Sequence, residues 1–316
     1  MSGVQSTVSF IIPAYNEVEN VPLIHEELRK EFESLSYQYE IVYIDDGSSD
    51  NTLEVLQKLA SSFEEVRYIS FTRNFGKEAA LIAGLEHAKG EAVIIIDADL
   101  QHPVSLIPDM LKGFEEGYDQ VIAQRNRTGD SKVRTGLSNL YYLLMNKLVD
   151  VDLKNGIGDF RLLSRRAVDS MLELKEGNRF SKGLFSWIGY DQKIIHYENV
   201  QRQQGETKWS MSNLVNYGID GMISFNHKPL RICLYVGLFI LMLSLVYITI
   251  MFVQVFQQGV SVPGYFTTIS AVLFLGGLHL FSLGVIGEYI GRIYYEAKGR
   301  PHYLVRETNT TRRKAE

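Results

Sequence analysis

The chain has 316 residues, of which 46% are hydrophobic, and it carries 32 basic and 37 acidic residues. This length allows one large domain and a smaller appendage. The net charge of −5 and the lack of a dominant basic stripe argue against a nucleic-acid partner. Cys233 is the only cysteine, which excludes an internal disulfide and a thiolate zinc cluster.

Strand-like and helix-like patterns alternate in the first part of the chain. Apolar runs predict strands at residues 8–12, 40–44, 66–70, 92–96 and 120–123. Apolar residues at helical spacing predict helices between them, and Pro108 predicts that the fourth helix begins late or carries a kink. Strands separated by amphipathic helices predict an α/β fold, with a mostly parallel sheet covered by helices on both faces. Residues 128–200 are less regular, and we interpret them as an acceptor-side subdomain.

The C-terminal part of the chain is apolar over an unusual length. Residues 232–287 contain no Asp, Glu, Lys or Arg. A membrane-spanning helix needs about 20 apolar residues, so this stretch predicts two transmembrane helices, at residues 234–256 and 265–288. The alternative, a buried hairpin of a soluble core, seldom runs so far without a charge.

The basic residues around the two predicted spans indicate an orientation. Lysines and arginines flank the pair on both sides, and none lies in the loop between the spans. The positive-inside rule then predicts a multi-pass protein of the cell membrane, with the N-terminal domain and both termini in the cytoplasm. We expect no signal peptide before the first strand.

These patterns divide the chain into four parts. We assign residues 1–209 to the α/β domain, 210–230 to a juxtamembrane helix, 231–292 to a two-span anchor and 293–316 to a cytoplasmic basic tail. The juxtamembrane helix fits the membrane interface, and docking on the α/β domain fits it equally well. The end of the tail is polar and basic, which predicts disorder.

Polar clusters follow the first four predicted strands. They are Pro13-Ala14-Tyr15-Asn16-Glu17, Asp45-Asp46-Gly47-Ser48-Ser49-Asp50-Asn51-Thr52, Thr72-Arg73-Asn74-Phe75-Gly76-Lys77 and Asp97-Ala98-Asp99-Leu100-Gln101. Asn, Asp, Gly and Ser are common in turns, so a turn alone would explain any single cluster. Together they predict a single site, because open α/β sheets bind ligands at the carboxyl ends of their strands. The chain has no Gly-x-Gly-x-x-Gly or Walker loop, which argues against dinucleotide redox chemistry and a P-loop kinase.

Asp97 and Asp99 stand one residue apart after an apolar strand. Two carboxylates held there can bind one hard divalent cation, Mg²⁺ or Mn²⁺, with Gln101 as a further oxygen ligand. Such a cation would neutralise a diphosphate leaving group. For an isolated pair, aspartates that form a turn or cap a helix are the alternative. His102 could touch the cation, although a turn role fits it better.

In this order the clusters resemble those of family 2 glycosyltransferases with the GT-A, Rossmann-like fold. The resemblance is closest to polyprenyl-phosphate and dolichyl-phosphate sugar synthases, and among these to the bacterial bactoprenol glucosyltransferases. It extends through residues 71–78, 158–162 and 202–209 and the two predicted spans. It implies a hexosyltransferase of the bacterial cell envelope. That enzyme would move one sugar from a nucleotide donor to polyprenyl (undecaprenyl) phosphate at the cytoplasmic membrane face. UDP-glucose is the favoured donor and UDP-N-acetylglucosamine the alternative.

The resemblance also implies a role for individual positions. The nucleotide would be bound by Pro13, Tyr15, Glu17, Asp46 and Asp97. The metal would be bound by Asp97, Asp99 and Gln101. The acceptor phosphate would be bound by Arg125, Arg134 and Arg202. Catalysis would involve Asp99, Asp159, Arg202 and Lys208. Residues 205–209 lack the Gln-x-x-Arg-Trp pattern of polymer-making relatives, which favours one sugar per acceptor.

The charge of the acceptor bears on the role of Asp159, which matches the residue usually proposed as the base. A phosphomonoester has its second pKa near ~6, so it is mostly dianionic at neutral pH and needs no base. The obstacle is its repulsion from the donor diphosphate, about 4 kcal/mol for unit charges ~4 Å apart at an effective dielectric of ~20. We therefore predict that Asp159 orients Arg161, Lys208 or the acceptor, and that a single in-line attack inverts the anomeric carbon.

The hypothesis also includes protein partners, and two other classes of function compete with it. We expect a homo-oligomer, for which a tetramer is one candidate, and a flippase as a functional partner. One rival is a catalytically silent membrane scaffold or sugar-nucleotide sensor, and a turnover assay would decide between it and an enzyme. The other is a flippase or channel subunit for lipid-linked sugars, which a flux assay in donor-free liposomes would identify.

Overall fold

The computed structural model describes residues 7–33, 35–126, 157–177, 179–197, 228–258 and 264–313. These residues form one eight-stranded sheet and a set of helices. The strands are β1 (Thr7–Ala14), β2 (Gln38–Asp45), β3 (Val66–Phe71), β4 (Ala92–Ile95), β5 (Gln120–Arg125), β6 (Ile157–Ser164), β7 (Gln192–Tyr197) and β8 (Val305–Thr308). The helices are α1 (Asn20–Phe32), α2 (Thr52–Ser62), α3 (Lys77–His87), α4 (Ile107–Glu115), α5 (Arg165–Glu173), α6 (Ser181–Trp187), α7 (Lys228–Gln258) and α8 (Tyr265–Lys298).

The sheet is mostly parallel, as the sequence predicts. Its strand order is β7-β5-β6-β4-β1-β2-β3-β8. β1 lies near the centre and pairs in parallel with β2 and β4, while β2 pairs in parallel with β3 and β5 with β7. β6 runs antiparallel to β4 and β5, and β8 runs antiparallel to β3. These two antiparallel strands were not predicted.

The central strands are buried on both faces, which explains their uninterrupted apolar sequences. On one face Phe10 and Ile94 pack in a core that includes side chains of α1 and α4. On the other face Ile11 and Ile95 pack in a core that includes side chains of α3 and α5. The predicted helices on both faces are therefore confirmed.

Pro108 sets the beginning of α4. A short 3₁₀ turn, Val104–Leu106, precedes the helix, and Pro108 lies in the first turn of α4. Proline is tolerated there because the first backbone N–H groups of a helix have no partner within it. The prediction that this helix begins late is confirmed.

The apolar C-terminal region forms the long helices α7 and α8. Among the described residues, Phe274–Lys298 is the segment long and apolar enough to cross a membrane, and Tyr235–Tyr247 is a shorter apolar segment of α7. α8 continues ten residues beyond the end predicted for the second span, from 288 to 298. Large apolar side chains such as Leu238 and Phe281 face outward. The predicted juxtamembrane helix lies outside the described residues up to position 227.

The prediction of a disordered tail is wrong for the residues up to 313. β8 pairs with β3, and the backbone N–H of Thr72 donates to the carbonyl of Leu304 at 3.0 Å. Tyr303 is buried and stacks on Phe71, with ring centroids 4.7 Å apart, and its hydroxyl donates to Glu86. Backbone pairing and one buried ring thus order a segment whose polar composition predicts disorder.

Replacement of Tyr303 by Ala is expected to lower the free energy of unfolding by about 3 kcal/mol, because loss of a buried ring leaves a cavity. The matched control is Leu304→Ala, since Leu304 is 52% exposed and a change at an exposed position costs about 0.5 kcal/mol or less. Thermal unfolding of the detergent-solubilised protein, followed by tryptophan fluorescence, measures both. Equal losses in the two variants would contradict an anchoring role for Tyr303.

Candidate active site

The sheet brings the predicted polar clusters to one edge. β1 lies between β2 and β4, and all three run in the same direction, so the segments that follow them leave from the same edge. β6 enters from the opposite direction. Its register with β4 pairs Arg161 with Ile95, and continued antiparallel pairing takes Asp159 toward Asp97. The antiparallel strand therefore supplies an acid that lies far away in sequence.

The clusters after β1 and β2 are joined by hydrogen bonds. Asn16 has a φ of 55°, its backbone N–H donates to Ser48 Oγ at 2.9 Å, and its Oδ1 accepts from the backbone N–H of Ser49 at 2.8 Å. The carboxylate of Glu17 accepts from Asn20 Nδ2 at 2.6 Å. Tyr15 is 39% exposed. Tyr15 and Glu17, which were predicted to bind the nucleotide, thus lie on a turn that hydrogen bonds hold against the loop after β2.

Asp46 connects the ends of β2 and β3. Its two carboxylate oxygens accept from the backbone N–H groups of Phe75 and Gly76, at 2.6 and 2.9 Å. Burial raises the pKa of Asp46, and the two N–H groups oppose this shift. Gly47 has a φ of +65°, and a Cβ there would come within 2.3 Å of the backbone of Arg73. Asp46 therefore holds the loop after β3 in place, in addition to any contact with a nucleotide.

An acid–lysine cluster, consisting of Lys77, Asp97 and Asp159, lies at the centre of the site. Lys77 Nζ is 2.6 Å from Asp97 Oδ1 and 2.7 Å from Asp159 Oδ2. The Lys77 side chain is 43% exposed, against 28% for Asp97 and 15% for Asp159. One ammonium group at the start of α3 thus bridges carboxylates from β6 and from the segment after β4.

The charges of this cluster determine its protonation. Burial disfavours the charged form of each member, but the opposite charges outweigh burial. They raise the pKa of Lys77 and lower the pKa of Asp97 and of Asp159. All three groups are therefore ionised at neutral pH. The ion pair of Asp159 with Lys77, at 2.7 Å, occupies the carboxylate and favours an orienting role for Asp159 over base catalysis.

His102 supports the other side of Asp97. Its Nε2 is 3.6 Å from Asp97 Oδ2, and its Nδ1 is 2.9 Å from the hydroxyl of Tyr197. Its ring lies against Phe160, with centroids 5.0 Å apart. Arg125, predicted to bind the acceptor phosphate, pairs in register with Tyr197 on the neighbouring strand. The cluster and Arg125 are thus linked through His102 and Tyr197.

The donor set of the Asp97–Gln101 segment suits a hard cation. Leu100 has a φ of 58°, and the backbone N–H of Gln101 donates to Asp99 Oδ1 at 3.3 Å. No group of three or more His, Cys, Asp or Glu residues that could hold a metal occurs among the described residues. Two carboxylates and an amide oxygen nevertheless fit Mg²⁺ or Mn²⁺, since Mg²⁺ is usually bound by one or two carboxylates, water and substrate phosphates. The residues present therefore fit a cation whose coordination is completed by a diphosphate.

Some predicted site residues are placed differently or lie elsewhere. Arg134, Arg202 and Lys208 lie outside the described residues. The prediction that Asp159 orients Arg161 is not supported by an ion pair. The ion pair of Asp159 is with Lys77, while Arg161 is buried, donates to the carbonyl of Gly158 at 2.9 Å and lies over the ring of Phe185. Burial lowers the pKa of Arg161 to about 10.

Sequence reasoning did not assign roles to Lys77 or Tyr197, and it favoured a turn role for His102. The sequence feature that pointed to Lys77 as a site residue was its position at the end of the third polar cluster. Tyr197 lies 95 residues from its hydrogen-bond partner His102, so no local pattern connects the two.

Comparison with known proteins identifies the family. Residues 9–172 match glycosyl transferase family 2, and residues 228–293 match the GtrB C-terminal hairpin. The Bacillus subtilis protein CsbB, named as a candidate glycosyltransferase, is 65% identical over 96% of this chain and 93% of its own length. The SfII prophage-derived bactoprenol glucosyl transferase of Shigella flexneri is 40% identical over 96% of this chain and 98% of its own. A prophage bactoprenol glucosyl transferase homolog of Escherichia coli is 41% identical over 95% and 98%. With this agreement along almost its whole length, the chain belongs to glycosyl transferase family 2 and is a glycosyltransferase.

Proposed function

We propose that this hexosyltransferase moves one glucose from UDP-glucose to a polyprenyl phosphate, with undecaprenyl phosphate as the favoured acceptor, and inverts the anomeric carbon. The observation that carries the proposal is the acid–lysine cluster, at a sheet edge in a chain with a helix apolar enough to cross a membrane. Relatives named bactoprenol glucosyl transferases, about 40% identical over nearly the full chain, support the lipid acceptor and the glucosyl donor. The cytoplasmic membrane face is where both substrates would meet.

The nucleotide would lie over the ends of β1 and β2. Pro13, Tyr15, Glu17 and Asp46 are candidates to bind its base and ribose, since their loops are joined to each other by hydrogen bonds. Asp97, Asp99 and Gln101 would hold Mg²⁺ or Mn²⁺. When bound, this cation supplies positive charge to the diphosphate leaving group.

Arginine and lysine side chains would neutralise the negative charge of the phosphate groups that the metal cation does not. Arg125 lies on the same sheet edge, and the family resemblance adds Arg134, Arg202 and Lys208 as acceptor-side cations. Arginine suits a phosphate because its planar fork can donate two hydrogen bonds at once. Lys77 would keep Asp97 and Asp159 fixed while two phosphate groups approach. In this proposal Asp159 fixes the position of the Lys77 ammonium group, and Lys77 in turn fixes Asp97.

The decisive test is the mass of the lipid product. Purified protein in detergent would receive undecaprenyl phosphate and, in separate reactions, UDP-glucose, UDP-N-acetylglucosamine or GDP-mannose. We expect a lipid heavier by one hexose with UDP-glucose only. Product with UDP-N-acetylglucosamine alone would establish the alternative donor. No product with any donor would contradict the proposal and favour a sensor or scaffold.

Asp159→Asn is expected to retain residual activity that rises as the pH passes ~6, because the acceptor becomes the dianionic nucleophile near its second pKa of ~6. Initial rates from pH 5.5 upward in about half-unit steps measure this, with Asp169→Asn as the control on an exposed carboxylate. An obligatory base predicts instead a complete loss at every pH. That outcome, with donor and lipid binding intact, would contradict the orienting role.

The domain assignment, the two spans and their orientation remain proposals with a direct test. In a Cys233→Ser background, a Ser261→Cys variant should react with a membrane-impermeant maleimide on intact cells. A Thr310→Cys variant should not react, because basic residues flank the spans on the cytoplasmic side. The reverse labelling pattern would overturn the orientation. A homo-oligomer, with a tetramer as one candidate, and a flippase partner are proposed alongside.

A further inference from the structure

A cavity of about 600 Å³ lies between the α/β domain and the last turns of α8. One wall comes from Arg73 and Phe75 in the loop after β3 and from Glu78 at the start of α3. The opposite wall comes from α8 and the segment that follows it, including Arg292 and Arg300. Gly177 and Arg179 also line it, so the cavity is built from three parts of the chain that are distant in sequence.

The charge balance of the cavity favours an anion. Four arginines, Arg73, Arg179, Arg292 and Arg300, line it together with the acids Glu78 and Glu288. The Glu78 carboxylate accepts from the backbone N–H and the hydroxyl of Ser181 and is thus bonded within the wall. Arg179 donates to the carbonyls of Met171 and Leu174 and belongs to the wall. Four arginines thus outnumber the two lining carboxylates, and a third carboxylate beside the cavity, that of Glu296, accepts from the backbone N–H of Gly177 at 2.6 Å.

The loop arginine is held in place before any ligand arrives. The guanidinium of Arg73 lies 4.0 Å from the centroid of the Phe75 ring, and its Nη1 donates to the carbonyl of Asn74 at 2.9 Å. One of its five N–H groups is used by that bond, so the others can meet an anion. A fixed guanidinium loses less conformational entropy on binding than a mobile one.

The length of α8 places this cavity near lipid headgroups. The helix has 34 residues, which is about 51 Å at 1.5 Å per residue. A hydrocarbon core of about 30 Å takes about 20 of these residues. Since the charge-free stretch ends at Gly287, the following turns with Arg292, Tyr295 and Lys298 would lie at headgroup level in the proposed membrane placement.

We propose that this cavity binds the phosphate headgroup of a membrane lipid. The lining of the cavity includes neither Arg125 nor the acid–lysine cluster, and its Arg73 and Phe75 lie on the loop after β3 that leads to Lys77. In that loop Arg73 faces the cavity, while the N–H groups of Phe75 and Gly76 bind Asp46. The inference rests on the proposed membrane placement and not on the identity of the sugar. Either the acceptor lipid or a bulk anionic phospholipid supplies the same phosphate chemistry.

The test is native mass spectrometry of the full-length, detergent-solubilised protein, titrated with undecaprenyl phosphate, phosphatidylglycerol or diacylglycerol and without nucleotide sugar. The double variant Arg292→Gln/Arg300→Gln should bind the phosphate-bearing lipids about tenfold more weakly or worse, since it removes two guanidinium groups that can donate charge-assisted hydrogen bonds to a phosphate. Binding of diacylglycerol, which has no phosphate, should not change. The charge-matched control is Arg29→Gln/Lys30→Gln, on the exposed face of α1.

Each outcome bears on the inference. Weaker binding of undecaprenyl phosphate alone identifies a site for the acceptor, and weaker binding of both phosphate lipids identifies a general headgroup site. Affinities equal to those of the control variant for both lipids would overturn the proposal. If the double variant unfolds, the single change Arg300→Gln, outside the helix, gives the same comparison. The binding assay contains no sugar donor, so its result does not depend on turnover. If the protein binds phosphate lipids here but forms no glycolipid in the product assay, that result contradicts the proposed function and not this inference.

Discussion

Asp99→Asn is expected to lower kcat by about 10³-fold or more while the protein keeps its fold. The substitution is nearly isosteric, so packing is retained, but it removes a negative charge from the proposed cation site. A cation at a phosphoryl oxygen contributes several kcal/mol to transition-state stabilisation, and about 4 kcal/mol corresponds to this loss in rate. Initial rates of glycolipid formation at saturating donor measure the effect.

Controls for Asp99→Asn separate the cation from general damage. Asp109→Asn changes an exposed aspartate in the first turn of α4 and is expected to retain wild-type rates. EDTA should abolish wild-type turnover, and added Mg²⁺ or Mn²⁺ should restore it. Full activity in EDTA, or in the Asp99→Asn variant, would rule out a catalytic cation at this segment.

Lys77→Met is expected to lower kcat by about 10²-fold or more, on the scale seen when one preorganised electrostatic contact is removed. Without the ammonium group, Asp159 loses its ion-pair partner and Asp97 loses the contact that joins it to Asp159. The two carboxylates would then move apart, which would distort the proposed cation site at Asp97. Kinetic analysis should show a larger change in kcat than in the KM for the donor, because the proposed role of the cluster is at the reacting centre.

Lys77→Arg is the companion variant, since it keeps the charge and changes the geometry. It should be more active than Lys77→Met. The matched control is Lys58→Met, at an exposed position of α2, which should be indistinguishable from wild type. If Lys77→Met were as active as this control, the acid–lysine cluster would have no role in turnover.

The parallel part of the fold could be predicted because its signals are local. The continuous apolar runs of β1, β2 and β4 and the turn residues after them lie within single short segments. β8 carries no such signal. It reads Val-Arg-Glu-Thr, and it is held by backbone pairing to the edge of β3 and by the side chain of Asn309, which accepts from the backbone N–H of Tyr68 at 2.7 Å.

The acid–lysine cluster shows why the candidate site could be predicted only in part. Asp97 and Asp99 were identifiable from their spacing after an apolar strand, and Asp159 from a family resemblance. The partner of Asp159 depends on the antiparallel pairing of β6 with β4, which brings residues far apart in sequence into contact. A single lysine at the start of a helix has no pattern that predicts such a contact.

The pairing of β8 with β3 limits how the α/β domain can move relative to α8. Residues 299–304 connect the end of α8 to β8, and a chain of that length reaches at most about 20 Å. The sheet is therefore attached to the apolar helices through two covalent connections, one before α7 and one after α8. A domain attached at one point can rotate about it and turn its active edge away from lipid. The second attachment restricts that rotation and, with the membrane placement proposed for α7 and α8, would keep the proposed reaction centre at a high effective concentration at the membrane surface.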